Sequence, residues 1–291
     1  DDDDDGNDEQ RGFLRSASFL SKKYNFLRKI RGDGNCYYRA FLYSLCEHLL
    51  RSLVVYNGND SSCNKNNDDG DDPLKEFNRL KTFVSDSLKW VCQYGFDEYT
   101  IDMFHEELVE LFDFIENVSK KSKEGKDDSN NDSEDDGTEL LEHTLAQLHT
   151  RLNEENACSD YCTWFMRVIT SAQIKSNPNH YLPFLMAENY GDVPTFCACE
   201  VEPMGKECGM VQVSALAECF GVRVVIEYMD GRGLVDGKDG KVVHHVFGGG
   251  DGGSGGGGRN NDAASGGGDG DGGGRTSVTL LYRPGHYDIL Y

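Results

Sequence analysis

The segment RGDGNCYYRAF (31–41) places one cysteine, Cys36, between a polar, glycine-containing loop and a strongly apolar stretch. Apolar residues recur every three or four positions after Cys36, which predicts that this cysteine opens a helix. The dipole of a helix N-terminus lowers the pKa of a thiol, and the free N–H groups there can face a developing oxyanion. Cys36 is therefore a candidate nucleophile, preceded by a loop that contains Gly34 and Asn35. A buried packing cysteine is the alternative interpretation.

His286, in the C-terminal segment RPGHYDILY, is the best candidate for the base. If residues 286–291 form a strand, side chains two apart share a face, so His286 and Asp288 point the same way. A carboxylate beside an imidazole fixes its tautomer and stabilises the imidazolium. Cys36, His286 and Asp288 can thus supply a nucleophile, a base and an orienting residue. A surface strand without catalytic function is the alternative on these arguments alone.

The net charge of −22 over 291 residues argues against nucleic acid or an anionic membrane as the main partner. No apolar run approaches the length of a membrane span. The ten cysteines are irregularly spaced in a chain too large to need disulfide staples. They predict reduced thiols in an intracellular compartment.

Polar, low-complexity composition divides the chain. Residues 1–20 are predicted to form an acidic, largely disordered tail. Residues 21–291 are predicted to form a single catalytic domain, interrupted by disordered insertions at about 57–72, 120–137 and 248–274. No N-terminal helical arm is evident in residues 11–30.

The periodicity between the insertions is mostly helical, and the C-terminal part is rich in β-branched and aromatic residues. One predicted helix begins at Cys36, and further helices are predicted over 74–91, 101–115, 138–153, 159–175 and 211–220. The predicted strands are 222–229, 277–283 and 286–291. This order favours an α+β fold with an antiparallel or mixed sheet.

The segment GDGNCYYRAF resembles the Asp-Gly-Asn-Cys motif of OTU-type cysteine proteases, specifically the otubain branch. YRPGHYDILY (282–291) is similar to the otubain histidine motif, and residues 94–115 and 200–230 resemble further otubain segments. The likeness runs in order from about Tyr24 to Tyr291, which makes it far more specific than either motif alone.

This resemblance implies a papain-like α+β OTU cysteine protease fold, with a small sheet between helical lobes. It implies a deubiquitinase that hydrolyses the isopeptide bond after the C-terminal glycine of ubiquitin, with no metal or organic cofactor. Cys36 corresponds to the nucleophile, His286 to the general base and acid, and Asp288 to the residue that orients His286. Asp33 matches the aspartate of the motif.

The loop Asp33, Gly34 and Asn35 is implied to shape the oxyanion hole. Gly32 departs from the family, in which proline is common at this position, so a looser loop is expected. The implied partners are ubiquitin, polyubiquitin chains and, as a further class, ubiquitin-conjugating enzymes, with neither nucleic acid nor membrane. A monomer in the cytoplasm, with the nucleus as a further location, is expected.

The alternative function is a regulator that binds ubiquitin or a conjugating enzyme, and in which catalysis is weak or dispensable. Three other cysteines, Cys197, Cys199 and Cys208, lack the second pair that a zinc site needs and are interpreted as structural. His244 and His245 adjoin the glycine-rich insertion and are expected to be exposed.

Overall fold

The computed structural model describes residues 5–58, 72–127, 135–154, 157–231, 242–248 and 276–291. The helices in these ranges are α1 (Asp5–Lys23), α2 (Cys36–Gly58), α3 (Pro73–Cys92), α4 (Glu98–Asp127), α5 (Asp135–Asn153), α6 (Ala157–Ser176), α7 (Pro178–Ala187), α8 (Val193–Phe196, followed by a π-helical turn at Cys197–Val201) and α9 (Met210–Phe220). The strands are β1 (Leu27–Arg28), β2 (Arg223–Tyr228), β3 (His244–Phe247), β4 (Ser277–Arg283) and β5 (His286–Leu290). No helix in the described ranges is both long and apolar enough to cross a membrane.

Helix α2 lies at the centre of the molecule and packs against α4 and α5 on one side and β5 on the other. Residues 36–47 are buried on every side of this helix, although they include the charged residues Arg39 and Glu47. Tyr38, Phe41 and Leu45 are accordingly inaccessible to solvent. Cys36, the first residue of α2, therefore starts inside the core.

The five strands form one mixed sheet in the order β1-β5-β4-β2-β3. Strands β2 and β4 are parallel, and the other pairs are antiparallel. The inner face carries β-branched and aromatic side chains into the main core. In β5, Tyr287 and Ile289 belong to that inner face, whereas Leu290 packs on the outer face with Leu20 and Leu281. The α+β prediction with a mixed sheet is confirmed.

The prediction of disorder is wrong for residues 5–20, which belong to helix α1. Residues 1–4 lie outside the described residues. Gly12, Ser16 and Leu20 are spaced four residues apart and are buried, which defines the face that α1 turns towards the domain. Lys23 and Tyr24 bind the buried carboxylate of Glu227, each at 2.6 Å. The acidic composition of this segment does not predict a helix, because the contacts that stabilise α1 are made with the sheet and not within the segment.

The boundaries of two predicted insertions also need correction. Helix α4 continues through residues 120–127, and α5 already begins at residue 135. Helix α2 likewise includes residues 57–58. Most of the 57–72 and 248–274 insertions lies outside the described residues. Strands β1 and β3 and helix α7 were not predicted.

Helix α9 ends at Gly221, as predicted. Gly221 adopts the left-handed conformation (φ 63°), and its N–H and that of Val222 bond back to the last turn. Arg79 covers this end, since its Nη2 donates to the carbonyl of Phe220 at 2.8 Å. A Cβ at Gly221 would also lie 3.2 Å from Arg79 Nη1.

Replacing Gly221 with alanine should destabilise the protein by about 1 kcal/mol, because alanine resists the left-handed conformation. Urea unfolding would show this as a lower midpoint with an unchanged slope. Gly191→Ala is the matched control, since a Cβ there meets no atom within 4 Å and the backbone is not left-handed. Equal midpoints for the two variants would contradict the assignment of Gly221 as a required helix stop.

Candidate active site

The thiol of Cys36 is buried at the first position of α2, where the residue is only 3% exposed. Burial raises the pKa of this thiol above its ordinary value of 9.0. The backbone N–H groups of Tyr287 and Tyr37 lower the pKa in part, whereas the negative charge of Asp33 raises it further. The helix N-terminus was expected to lower the pKa of the Cys36 thiol. The structure gives the opposite direction, because desolvation of the thiolate outweighs the effect of the backbone N–H groups.

His286 and Asp288 are paired on β5, as their two-residue spacing predicted. The distance between His286 Nε2 and Asp288 Oδ1 is 2.9 Å. Asp288 is inaccessible to solvent, and its Oδ1 also accepts the N–H of Ile30 at 2.9 Å. Its Oδ2 accepts a hydrogen bond from Arg283 Nη2. Contacts on both oxygens hold this buried carboxylate in one orientation beside the imidazole.

The second ring nitrogen of His286 faces the loop that precedes Cys36. With Nε2 as the donor to Asp288, Nδ1 is the ring nitrogen that can accept a proton. A Cβ at Gly32 would lie 3.3 Å from Nδ1, so the loop lies directly against the ring. Among the hydrogen bonds of the described residues, none joins Cys36 to His286.

Asp33 builds the loop through its own salt bridges. Its carboxylate accepts both Nη atoms of Arg39, at 2.8 and 2.9 Å, Nε of Arg31 at 2.9 Å and the N–H of Asn35 at 3.0 Å. Burial acts to raise the pKa of Asp33, but the bonds and charge of Arg39, with Arg31 and Asn35, lower it to about 2. The carboxylate is thus ionised and fully engaged within the loop.

Gly34 and Asn35 complete the loop and touch a second segment of chain. Gly34 has a positive φ of 76°, and a Cβ there would lie 1.9 Å from the carbonyl oxygen of Gly205. The side-chain oxygen of Asn35 accepts the N–H of Gly205 at 3.0 Å. Only glycine fits at position 34, because both the backbone angle and the space exclude a side chain.

Sequence reasoning missed the arginines that hold the site. Arg39 lies one helical turn after Cys36, and Arg283 lies opposite His286 in the β4–β5 ladder. Both stand inside the quoted motifs, and a basic residue so close to a predicted acidic one was the available signal. Their partners, Asp33 and Asp288, could be assigned only from the fold.

The other candidate groups lie apart from this site. In the part of the chain that the structure describes, no set of three His, Cys, Asp or Glu side chains is arranged to hold a metal ion. His245 lies in β3 and is half-buried, which contradicts the expected exposure, and burial lowers its pKa. His244 is exposed.

A cysteine at a helix N-terminus beside a histidine–carboxylate pair is the arrangement of a thiol hydrolase of the cysteine peptidase class. A family model described as Peptidase C65 Otubain matches residues 4–291. The chain therefore belongs to the peptidase C65 otubain family.

Curated relatives agree with this assignment. The chain is 31% identical over 272 residues to "Ubiquitin thioesterase OTUB1" of Homo sapiens, covering 94% of this chain and 72% of that protein. It is 28% identical over 283 residues to human "Ubiquitin thioesterase OTUB2", covering 97% and 88% of the two chains. A third relative, from Arabidopsis thaliana, is named "OVARIAN TUMOR DOMAIN-containing deubiquitinating enzyme 1" and is 28% identical, covering 96% of this chain and 73% of that protein.

Solved structures give the same fold. One, "The structure of h/ceOTUB1-ubiquitin aldehyde-UBC13~Ub", superposes with a TM-score of 0.60 at 26% identity, covering 97% of this chain and 82% of the other. A ceOTUB1 ubiquitin aldehyde UBC13~Ub complex gives a TM-score of 0.59 at 28% identity, covering 97% and 85%. The predictions of an α+β OTU fold and of a cysteine-type deubiquitinase of the otubain family are confirmed.

The salt bridges of Asp33 predict a specific dependence of stability on pH. A pKa lowered from 3.8 to about 2 means that ionised Asp33 stabilises the folded state above about pH 4. This stabilisation is lost as the pH falls from about 4 towards 2. Asp33→Asn should therefore be less stable than wild type at pH 7, and the gap should narrow over that acid range.

Urea unfolding at a series of pH values from 7 downwards measures this gap. Asp86→Asn, an exposed position on α3, is the control and should follow the wild-type curve. A gap between Asp33→Asn and wild type that stays constant down to pH 2.5 would show that the ion pairs of Asp33 contribute nothing.

Proposed function

We propose that this chain hydrolyses the isopeptide bond after the C-terminal glycine of ubiquitin, with Cys36 as nucleophile. The observation that carries the proposal is the His286–Asp288 pair on strand β5. Tyr287 lies between these two residues, and its backbone N–H faces the Cys36 thiol. Two segments from opposite ends of the chain thus meet at one thiol. A packing cysteine would require no such apparatus.

The first step forms a thioester. His286 Nδ1 takes the proton of the Cys36 thiol as the sulfur attacks the carbonyl carbon of the terminal glycine. The tetrahedral intermediate then collapses, the carbon–nitrogen bond breaks, and the imidazolium gives its proton to the departing lysine amine. Asp288 holds the ring and stabilises the imidazolium throughout.

The second step releases ubiquitin. Water gives a proton to His286 and attacks the thioester carbon. The carbon–sulfur bond breaks, and the proton returns to the sulfur of Cys36. The same two side chains therefore serve both halves of the reaction, and neither half needs a cofactor.

The loop before α2 supplies the oxyanion site in this proposal. The first N–H groups of a helix have no acceptor within the helix, and that of Cys36 is among them. The N–H of Asn35 is already bonded to Asp33. Asp33, Gly34 and Asn35 therefore shape the site, while the N–H of Cys36 faces the developing charge.

Ubiquitin, polyubiquitin chains and ubiquitin-conjugating enzymes are the proposed partners, bound by a monomer. Support comes from the related h/ceOTUB1 structures, which are complexes with ubiquitin aldehyde and either UBC13~Ub or UBCH5B~Ub. An aldehyde at the ubiquitin C-terminus is the electrophile that an active-site thiol attacks. We place the enzyme in the reducing cytoplasm or nucleus, in agreement with the nine free cysteines among the described residues.

The regulator hypothesis has one observation in its favour. The Cys36 thiol is buried, its pKa is raised, and it is not hydrogen-bonded to His286 among the described contacts. Such a site needs the ubiquitin tail or a partner to complete it. A gel assay against all diubiquitin linkages separates the hypotheses, since cleavage establishes the protease and binding without cleavage of any linkage favours the regulator.

Cys36→Ala should abolish cleavage of diubiquitin and retain ubiquitin binding, because only the nucleophilic sulfur is removed. Turnover is measured on gels and binding by calorimetry. Cys199→Ala removes an exposed thiol and should cleave like wild type. Undiminished turnover by Cys36→Ala would exclude Cys36 as the nucleophile.

His286→Ala should lower kcat/KM by more than Asp288→Ala does, since loss of a general base costs about 10²–10⁴-fold and an orienting residue is more easily compensated. Asp288→Ala should also lower the urea midpoint, because the Ile30 N–H and Arg283 lose their acceptor. Steady-state kinetics on diubiquitin compares the variants. Equal or reversed losses in kcat/KM would contradict the assigned roles.

A further inference from the structure

The guanidinium of Arg167, on α6, is completely buried behind the loop of Asp33, Gly34 and Asn35, called the nucleophile loop below. Its Nε and Nη2 donate to the side-chain oxygen of Asn35 at 3.0 and 2.8 Å. Nη2 also donates to the carbonyls of Gly34 at 2.9 Å and Lys206 at 2.6 Å, and Nη1 donates to the carbonyl of Val201 at 2.9 Å. One side chain thus binds two separate segments of the chain.

The acceptors of Arg167 among the described residues are carbonyl and amide oxygens, and no carboxylate is among them. Arg39, which is equally buried, is instead paired with Asp33 and Asp160. A buried cation without an anion is costly, so Arg167 must be satisfied by its many hydrogen bonds and by the ring of Tyr38, 4.6 Å away. This arrangement depends on the planar five-donor geometry of arginine.

The two segments that Arg167 joins also touch each other. A Cβ on Gly34 would lie 1.9 Å from the carbonyl oxygen of Gly205, and the N–H of Gly205 bonds to Asn35. The segment Val201–Lys206 therefore forms the backing of the nucleophile loop. Regular backbone hydrogen bonding ends with the π-helical turn at Val201. Residues 202–206 are therefore held by their contacts with Arg167 and with the nucleophile loop.

Arg167 fixes the orientation of the peptide unit that links Gly34 to Asn35. The carbonyl of this peptide bonds to Arg167 and its N–H bonds to Asp33, on opposite sides. The next peptide carries the N–H of Cys36, so its direction follows from the first. A change at Arg167 would tilt the proposed oxyanion donor without touching the substrate.

We propose that Arg167 is a positioning residue that clamps the loop Gly34–Asn35 to the segment Val201–Lys206. This clamp keeps the N–H of Cys36 in the direction that the oxyanion site requires. The proposal rests on the assignment of Cys36 as nucleophile. It predicts that Arg167 acts on turnover and not on ubiquitin binding, because its side chain is inaccessible. Neither the positive charge alone nor the volume alone of the side chain is sufficient to hold the two segments together.

Arg167→Lys is the decisive variant, since lysine keeps the positive charge but has its donors on a single atom. With a fluorogenic ubiquitin C-terminal amide as substrate, kcat should fall roughly 10–100-fold, the size expected for a misplaced catalytic group, while KM stays within about twofold. Wild-type kcat in Arg167→Lys would overturn the proposal.

Ile169→Ala is the matched control, because Ile169 lies on the same helix, is equally buried and belongs to the main core. It measures the loss of turnover that destabilisation alone produces. A loss in Ile169→Ala equal to that in Arg167→Lys, at matched urea midpoints, would reduce Arg167 to a structural role. Asn35→Ala removes the acceptor from the other side and should reproduce the kcat loss if Arg167→Lys does not fold.

Hydrogen exchange tests the clamp independently of catalysis. Backbone amides of residues 33–38 and 201–208 should exchange faster in Arg167→Lys than in wild type, and should be unchanged in Ile169→Ala. Unchanged exchange in Arg167→Lys would overturn the clamp. An inactive wild-type enzyme would overturn the proposed function, and the exchange result would still decide the clamp.

Discussion

The buried carboxylate of Asp288 is the interaction on which the arrangement of the site depends. It is isolated from solvent, and its two oxygens are hydrogen-bonded to His286, Arg283 and the N–H of Ile30. Ile30 belongs to the segment that leads into the loop before Cys36, and His286 belongs to the C-terminal strand. A single carboxylate therefore joins the two ends of the chain and sets the imidazole against the loop.

Two buried guanidinium groups support the same loop from its inner side. Arg39 is neutralised by carboxylates, whereas Arg167 is satisfied by backbone and amide oxygens. Side chains locked in this way hold a site to within fractions of an ångström, which loops alone do not achieve. The functional loop is short and lacks regular structure, and its rigidity comes from α2 and α6.

The burial that fixes the loop also shapes the chemistry. A solvated thiol at a helix N-terminus would be more acidic than usual, but Cys36 is enclosed by the core and by Asp33, and its pKa is raised. In the proposed mechanism the thiol keeps its proton until the substrate is bound, and His286 then accepts that proton.

The sequence determined the helix that begins at Cys36, the shared face of His286 and Asp288 and the α+β class, because each follows from local periodicity. The family resemblance rested on the same motifs. Tertiary structure decided the rest: α1 forms by packing on the sheet, and Arg167 meets Gly34 and Asn35 from a helix more than 130 residues further along the chain. The fold also turns Arg39 and Arg283 towards acidic residues that are near them in the sequence. The pKa of Cys36 was also decided there, because desolvation depends on what surrounds a group in space, and a linear pattern carries no record of that.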